Sequence, residues 1–269
     1  MLIISGCQTG ISNTLAASEE ATVNGVTLSY EIHGEGPPLY LLHGGMESRK
    51  SFENQIPIFA KNFTVVAVDS REQGRSGSSA AQISYDLMAA DIVALAKHLG
   101  HDRISIIGLS DGGITAITLA IQNPDLIDKL VLLGATFHYN SYPSDMLVYI
   151  ANYEWDGNRD PNKYPGNFIE HYLSGHDSLD GFGPLLKELS VMWTTAPTFT
   201  KSDLQKIQAK TLVINGDHQD TALEHAIELY RGIVNAQLFI VPNGTHYALQ
   251  EHFELVNSVS MNFLIENSQ

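Results

Sequence analysis

Six short, uninterrupted apolar runs constrain the fold of this chain more than any other feature. They are Leu39-Tyr40-Leu41-Leu42, Val65-Val66-Ala67-Val68, Ile104-Ser105-Ile106-Ile107, Leu130-Val131-Leu132-Leu133, Thr211-Leu212-Val213-Ile214 and Leu238-Phe239-Ile240-Val241. A strand with one face in water alternates apolar and polar residues, whereas a strand covered on both faces is apolar almost throughout. Helical patterns lie between the runs. The clearest has Ser84 as its N-cap, Met88, Ile92, Leu95 and Leu99 at helical spacing, and Gly100 as its stop. Strand alternating with helix predicts a mainly parallel sheet covered on both faces. Upstream, the Asn24-Gly25 turn between Val23 and Val26 predicts a hairpin running into Thr27-Leu28-Ser29-Tyr30-Glu31-Ile32, which brings the expected sheet to eight strands.

The alternation breaks once. Residues 136–200 contain no buried-strand run, yet they hold both tryptophans and more than half of the aromatic residues. This segment is expected to form a helical cap inserted after the sixth strand, over the carboxyl ends of the strands where open α/β sheets place their sites. The expected organisation is a leader or tether over 1–20, a core built from 21–135 and 201–269, and a cap over 136–200. At 269 residues the chain needs no second independent core.

A formal charge of −15 opposes binding to nucleic acid or anionic membranes. Cys7 is the only cysteine, which excludes an internal disulfide and a thiolate metal cluster. Its setting, Leu2-Ile3-Ile4-Ser5-Gly6-Cys7 followed by a polar run, resembles the end of a bacterial lipoprotein signal, although the basic and most of the apolar part of such a signal are missing. The resemblance implies a lipid anchor at Cys7 and a periplasmic or membrane-anchored protein; the alternative is a cytoplasmic one.

The chemistry concentrates after the fifth strand. Gly108-Leu109-Ser110-Asp111-Gly112 places G-x-S-x-G between an apolar strand and a helix beginning near Gly112. So tight a turn needs small flanking residues and leaves Ser110 exposed at the helix N-terminus, where the dipole favours developing negative charge. A serine hydroxyl needs a base to attack at neutral pH. His246, in the loop after the last strand, is the candidate, while His98, His101, His225 and His252 read as surface residues. The carbonyl oxygen of the substrate would gain charge, so backbone donors are required. Gly45, in the loop after the third strand, and Asp111, next to the nucleophile, are the expected pair, with His43 holding the loop. Gly44, Met46 and Trp193 are candidate substrate contacts. The Asp111 side chain has two readings: a charge at the helix start, or a partner for a cationic group on the substrate.

Together, His43-Gly44, the segment from Asp69 to Ser76, Gly108-Leu109-Ser110-Asp111-Gly112-Gly113, Asn215-Gly216-Asp217 and Gly244-Thr245-His246 resemble the α/β-hydrolase superfamily. The order is that of the superfamily from about Val23 to Leu264, and the Ser-Asp-Gly-Gly variant is similar to valacyclovir hydrolase-like and related small esterases. The resemblance implies a Ser-His-acid triad with the acid three residues after the glycine ending strand seven. That position is Gln219, an amide that can orient an imidazole without stabilising its charge. Asp220 is therefore the expected acid, reached by a loop shifted one residue, with Asp217 as the alternative. Glu72 and Gln73 also depart from the usual D-x-R-G-x-G-x-S loop and are expected to alter only a structural turn.

The expected function is a serine carboxylesterase acting on a small apolar or aromatic ester through an acyl-enzyme, without metal or other cofactor. The same triad could serve carbon–carbon, lactone or amide cleavage or perhydrolysis. A ligand-binding protein with little turnover is the remaining alternative, motivated by Gln219.

Overall fold

The computed structural model describes residues 18–157, 164 and 167–266. Cys7 and most of the segment read as a leader lie outside the described residues. The first strand begins at Glu19, so the last two residues of that segment, Glu19 and Glu20, already belong to the sheet.

Eight strands form one sheet: β1 (Glu19–Val23), β2 (Val26–His33), β3 (Pro38–Leu42), β4 (Thr64–Val68), β5 (Ile104–Leu109), β6 (Ile127–Leu133), β7 (Lys210–Gly216) and β8 (Ala236–Val241). Their spatial order is β1-β2-β4-β3-β5-β6-β7-β8. The β1–β2 and β2–β4 pairs are antiparallel and the remaining pairs parallel. The first hairpin turns on Asn24 and Gly25, with φ of 47° and 75°, the left-handed pair that matches strand twist in a two-residue turn.

The described helices are α1 (Ile56–Phe59), α2 (Tyr85–His98), α3 (Asp111–Gln122), α4 (Ser144–Ala151), α5 (Phe168–Leu173), α6 (Phe182–Thr195), α7 (Lys201–Leu204), α8 (Leu223–Gly232), α9 (Ala248–Glu251) and α10 (Phe253–Ile265). Alternate residues of each apolar run enter opposite layers of core. Tyr40, Leu42, Val66, Val68 and Ile106 pack with Ile92, Leu95, Ile117 and Leu229 of α2, α3 and α8. Leu39, Leu41, Val65, Ala67 and Ile107 pack with Phe59, Val256 and Phe263 of α1 and α10. This two-sided burial is why the runs are apolar throughout.

Helices α4, α5 and α6 make up the insertion between β6 and β7. Its two roots are tied together: Tyr139 N–H donates to the Pro197 carbonyl at 2.8 Å and Phe199 N–H to that of Phe137 at 2.9 Å. Phe168, Tyr172, Phe182, Leu186 and Leu189 of the insertion form a third apolar cluster with Met46, Tyr85, Met88 and Ile114. The aromatic residues of this segment thus fasten it over one end of the sheet.

Candidate active site

Ser110 sits between the end of β5 and the start of α3 with φ 51° and ψ −116°, a conformation that costs a non-glycine residue free energy and is held only by its surroundings. Its N–H donates to the Leu133 carbonyl at 2.8 Å, continuing the β5–β6 ladder, and its own carbonyl accepts from Ile114 N–H at 2.9 Å, starting the helix. A Cβ at Gly108 would lie 2.5 Å from the Gly112 carbonyl oxygen, and one at Gly112 would overlap the Leu42 carbonyl. Both small residues of the motif are therefore required by backbone contact. Ser110 opens on a cavity of about 340 Å³ that His246, Gly44, Gly45, Trp193 and Asp220 also line.

His246 arrives from the loop after β8. This loop and the one after β7 are clipped together: His218 N–H donates to the Gly244 carbonyl at 2.9 Å and Asp217 N–H to that of Val241 at 3.2 Å. The clips fix the register of residues 217–220, so the third residue after Gly216 faces the imidazole. The Gln219 carboxamide lies 2.8 Å from His246 Nδ1. This corrects the expected shift of the loop by one residue. Asp220 lines the cavity but makes no hydrogen bond to His246 among the described residues, and Asp217 is exposed and off the cavity wall. Gly134, at the end of β6 with φ 56°, forms the floor of the pair; a Cβ there would come within 3.1 Å of the Gln219 amide and 3.3 Å of His246 Nδ1. Burial lowers the His246 pKa below the ordinary 6.5, and the nearby negative charge of Asp220 opposes that shift.

The loop after β3 is pinned at both sides of Gly45. Gly44 N–H points to Glu47 Oε2 at 3.4 Å, and Met46 N–H donates to Gln73 Oε1 at 2.7 Å. Among the described residues the Gly45 N–H has no partner of this kind, and the Asp111 N–H falls in the first turn of α3, where the helix supplies no acceptor. His43 is buried; its Nε2 accepts from Ser70 N–H at 2.9 Å and its Nδ1 lies 2.7 Å from the Gly44 carbonyl oxygen. Gln73 thus does more than fill a turn, since it fastens the glycine loop.

Met46 does not touch the cavity. At φ 59° its side chain is buried in the cluster beneath the insertion, which corrects the expectation of a substrate contact. Trp193 does line the cavity, and its Nε1–H donates to Asp111 Oδ2 at 2.8 Å, while Tyr85 Oη donates to Oδ1 at 2.8 Å. Both oxygens of Asp111 therefore already accept a hydrogen bond, one of them from the insertion. His225 is likewise no surface residue: it stacks on Phe137 at 4.3 Å, and its Nε2 accepts from Phe137 N–H at 3.1 Å.

Glu47 is a site residue that the sequence reading passed over. Ser51 Oγ donates to its Oε2 at 2.6 Å, and burial pushes its pKa up to about 7, against 4.5 ordinarily. Asp111 is pushed up to about 6 by burial, partly offset by its bonds from Trp193 and Tyr85. A carboxyl whose folded pKa exceeds its unfolded value binds more protons when folded, so its contribution to stability is present at low pH and lost as pH climbs through the folded value. The melting temperature is therefore expected to fall between about pH 5 and pH 8, and Glu47→Gln should flatten that slope in calorimetric scans at several pH values.

A strained serine, an imidazole and two unused amide donors around one cavity define a hydrolase-type site on a doubly covered α/β sheet. The chain belongs to the alpha/beta hydrolase fold family, whose model matches residues 37–174. It is similar to the human serine hydrolase BPHL, 27% identical over 267 residues, covering 93% of this chain and 87% of that protein. A shorter match, 37% identical over 121 residues, joins 45% of this chain to 42% of a soluble epoxide hydrolase of a Corynebacterium species. Among solved structures, a serine hydrolase involved in carbazole degradation, the CarC enzyme, superposes with a TM-score of 0.76 at 24% identity, over 93% of this chain and 99% of that one.

Proposed function

We propose that this hydrolase is a serine carboxylesterase for small apolar or aromatic esters. The observation that carries the reading is the strained Ser110 sharing a cavity with His246 and with the free Gly45 and Asp111 amides. His246 takes the Ser110 proton as Oγ attacks the ester carbonyl carbon, and the Gly45 and Asp111 N–H groups hold the resulting oxyanion. Collapse breaks the carbon–oxygen bond to the alcohol, which leaves with the proton from His246. Water, deprotonated by the same imidazole, then attacks the acyl-serine and releases the acid and the free serine.

The relationship to an epoxide hydrolase does not redirect this reading. Serine attack on an epoxide carbon leaves an ether that water does not readily cleave, whereas serine attack on a carbonyl leaves an ester. The cavity volume is near the lower end of the roughly 300–1,000 Å³ of small-molecule sites. Tyr142, Tyr149, Tyr153, Phe168 and Trp193 supply aromatic wall.

The test is a panel of p-nitrophenyl acetate, butyrate and benzoate beside a lactone and an anilide. Faster steady-state turnover of the esters supports the reading, and preference for the lactone or the anilide contradicts it. The neutral amide on His246 favours a second reading, a binding protein of weak turnover. A single burst of p-nitrophenol without a following steady state would support that one. The lipid anchor at Cys7 is a separate proposal, tested by incorporation of labelled fatty acid into the full-length protein and its loss in Cys7→Ser.

A further inference from the structure

A triad acid has two tasks: it fixes the ring by accepting from Nδ1–H, and it supplies negative charge that stabilises the imidazolium. In this protein the group touching Nδ1 is the neutral Gln219, and the nearest expected carboxylate is its neighbour. Resting on the hydrolase reading above, we propose that the two tasks are divided between adjacent residues, Gln219 orienting His246 by its hydrogen bond and Asp220 supplying the charge from the cavity wall without touching the ring.

The position of the amide supports the first half. Gln219 Nε2 is the amide atom placed 2.8 Å from Nδ1; a half-turn about the terminal bond, which exchanges a nearly isosteric nitrogen and oxygen, lets the carboxamide accept from Nδ1–H and leaves the imidazole Nε2 as the unprotonated atom that takes the Ser110 proton. Gly134 closes one side of the pair, and the Gln219 oxygen as placed is buried with no partner among the described residues, a defect that the half-turn toward Nδ1–H removes. A buried amide atom without a partner is unfavourable, a cost that an exposed loop residue avoids by turning outward. Gln219 is held inward, and His246 is the group it meets.

The setting supports the second half. The cavity already holds two buried carboxyls, Glu47 and Asp111, and Tyr142, Tyr153 and Tyr247 share its wall with Asp220; among the described residues no lysine or arginine lines it. The neutral amide at position 219 adds no further charge to that wall. One residue further on, Asp220 is exposed yet lines the same cavity and acts on His246, whose affinity for a proton it raises. Hydrogen bonding must be close to work, but charge acts over several ångströms.

The division is tested with four proteins: wild type, Asp220→Asn, Gln219→Glu and the double variant. Asp220 is exposed, so its substitution leaves the fold intact. Removing the charge makes the imidazolium less stable. Asp220→Asn is therefore expected to lower kcat about tenfold with little change in KM, and to move the acid limb of the kcat/KM profile to lower pH. Gln219→Glu places charge and hydrogen bond in one group, so it should raise kcat, move the acid limb to higher pH, and shrink the effect of Asp220→Asn to less than about twofold. An Asp220→Asn variant that keeps both kcat and its acid limb overturns the division, as does an effect of equal size in both backgrounds. If the wild type turns over no acyl substrate at all, the hydrolase reading itself has failed, and the division with it. An active wild type with an indifferent Asp220→Asn removes the division alone.

Discussion

Ser110→Ala is expected to lower kcat/KM for p-nitrophenyl acetate by about 10³- to 10⁵-fold, while a non-hydrolysable substrate analogue binds within about threefold of wild type. The loss is large because the acyl group would have no oxygen to occupy. It is smaller than the roughly 10⁶-fold seen when a complete triad loses its serine, because a neutral amide on the base lowers the starting activity. Retained binding is expected because the serine adds one hydroxyl to a wall to which the insertion contributes Tyr142, Tyr149, Tyr153, Phe168 and Trp193. Steady-state kinetics and calorimetric titration of the analogue check the two halves separately. If equal losses appear in binding and in turnover, Ser110 shapes the cavity and does not react.

His246→Ala should cost a comparable factor, about 10³ or more, and the double variant with Ser110→Ala should be no worse than either single one, since the two side chains act as a unit. In the wild type, His246 must be neutral to accept the serine proton. Burial favours that neutral form, so kcat/KM is expected to rise with pH, with a midpoint below 6.5, and to be flat through neutrality. A profile of initial rates in constant-ionic-strength buffers shows this limb directly. A midpoint above 6.5 would mean that the imidazolium is the favoured form in the site, contrary to its buried setting.

Much of this was readable from the residues because the relevant physics is local or strictly periodic. Strands buried on both faces must be apolar at every position, so β3 to β8 stood out as runs, and the Asn24-Gly25 turn declared the first hairpin. Ser84 was legible as an N-cap, and its side chain accepts from Leu87 N–H at 3.2 Å. Ser110 and its glycines were legible because the turn tolerates almost nothing else. What the sequence concealed depends on contacts between distant segments. Gln73 fastens Met46, Trp193 reaches Asp111 from the insertion, and His225 stacks under Phe137. None of these leaves a periodic or compositional trace.

The third member of the site lies between these cases. Spacing from Gly216 pointed to Gln219, but the requirement for charge turned the expectation toward Asp220, as though one residue had to perform both tasks. Two backbone hydrogen bonds between the loops after β7 and β8 decide the register in favour of spacing. A signal was therefore present in the sequence, and the demand for a single acid outweighed it. Glu47 carried no comparable signal, because its raised pKa comes from burial that only the folded loop creates.

Ser110 is expected to become covalently acylated during turnover. Exposure of the protein to diethyl p-nitrophenyl phosphate, followed by intact-mass measurement and peptide mapping, tests it most directly. One equivalent of diethyl phosphate on Ser110, with loss of esterase activity in parallel and no labelling in Ser110→Ala, is the predicted result. Inactivation with the label on another residue, or full esterase activity in a protein labelled stoichiometrically at Ser110, would contradict it.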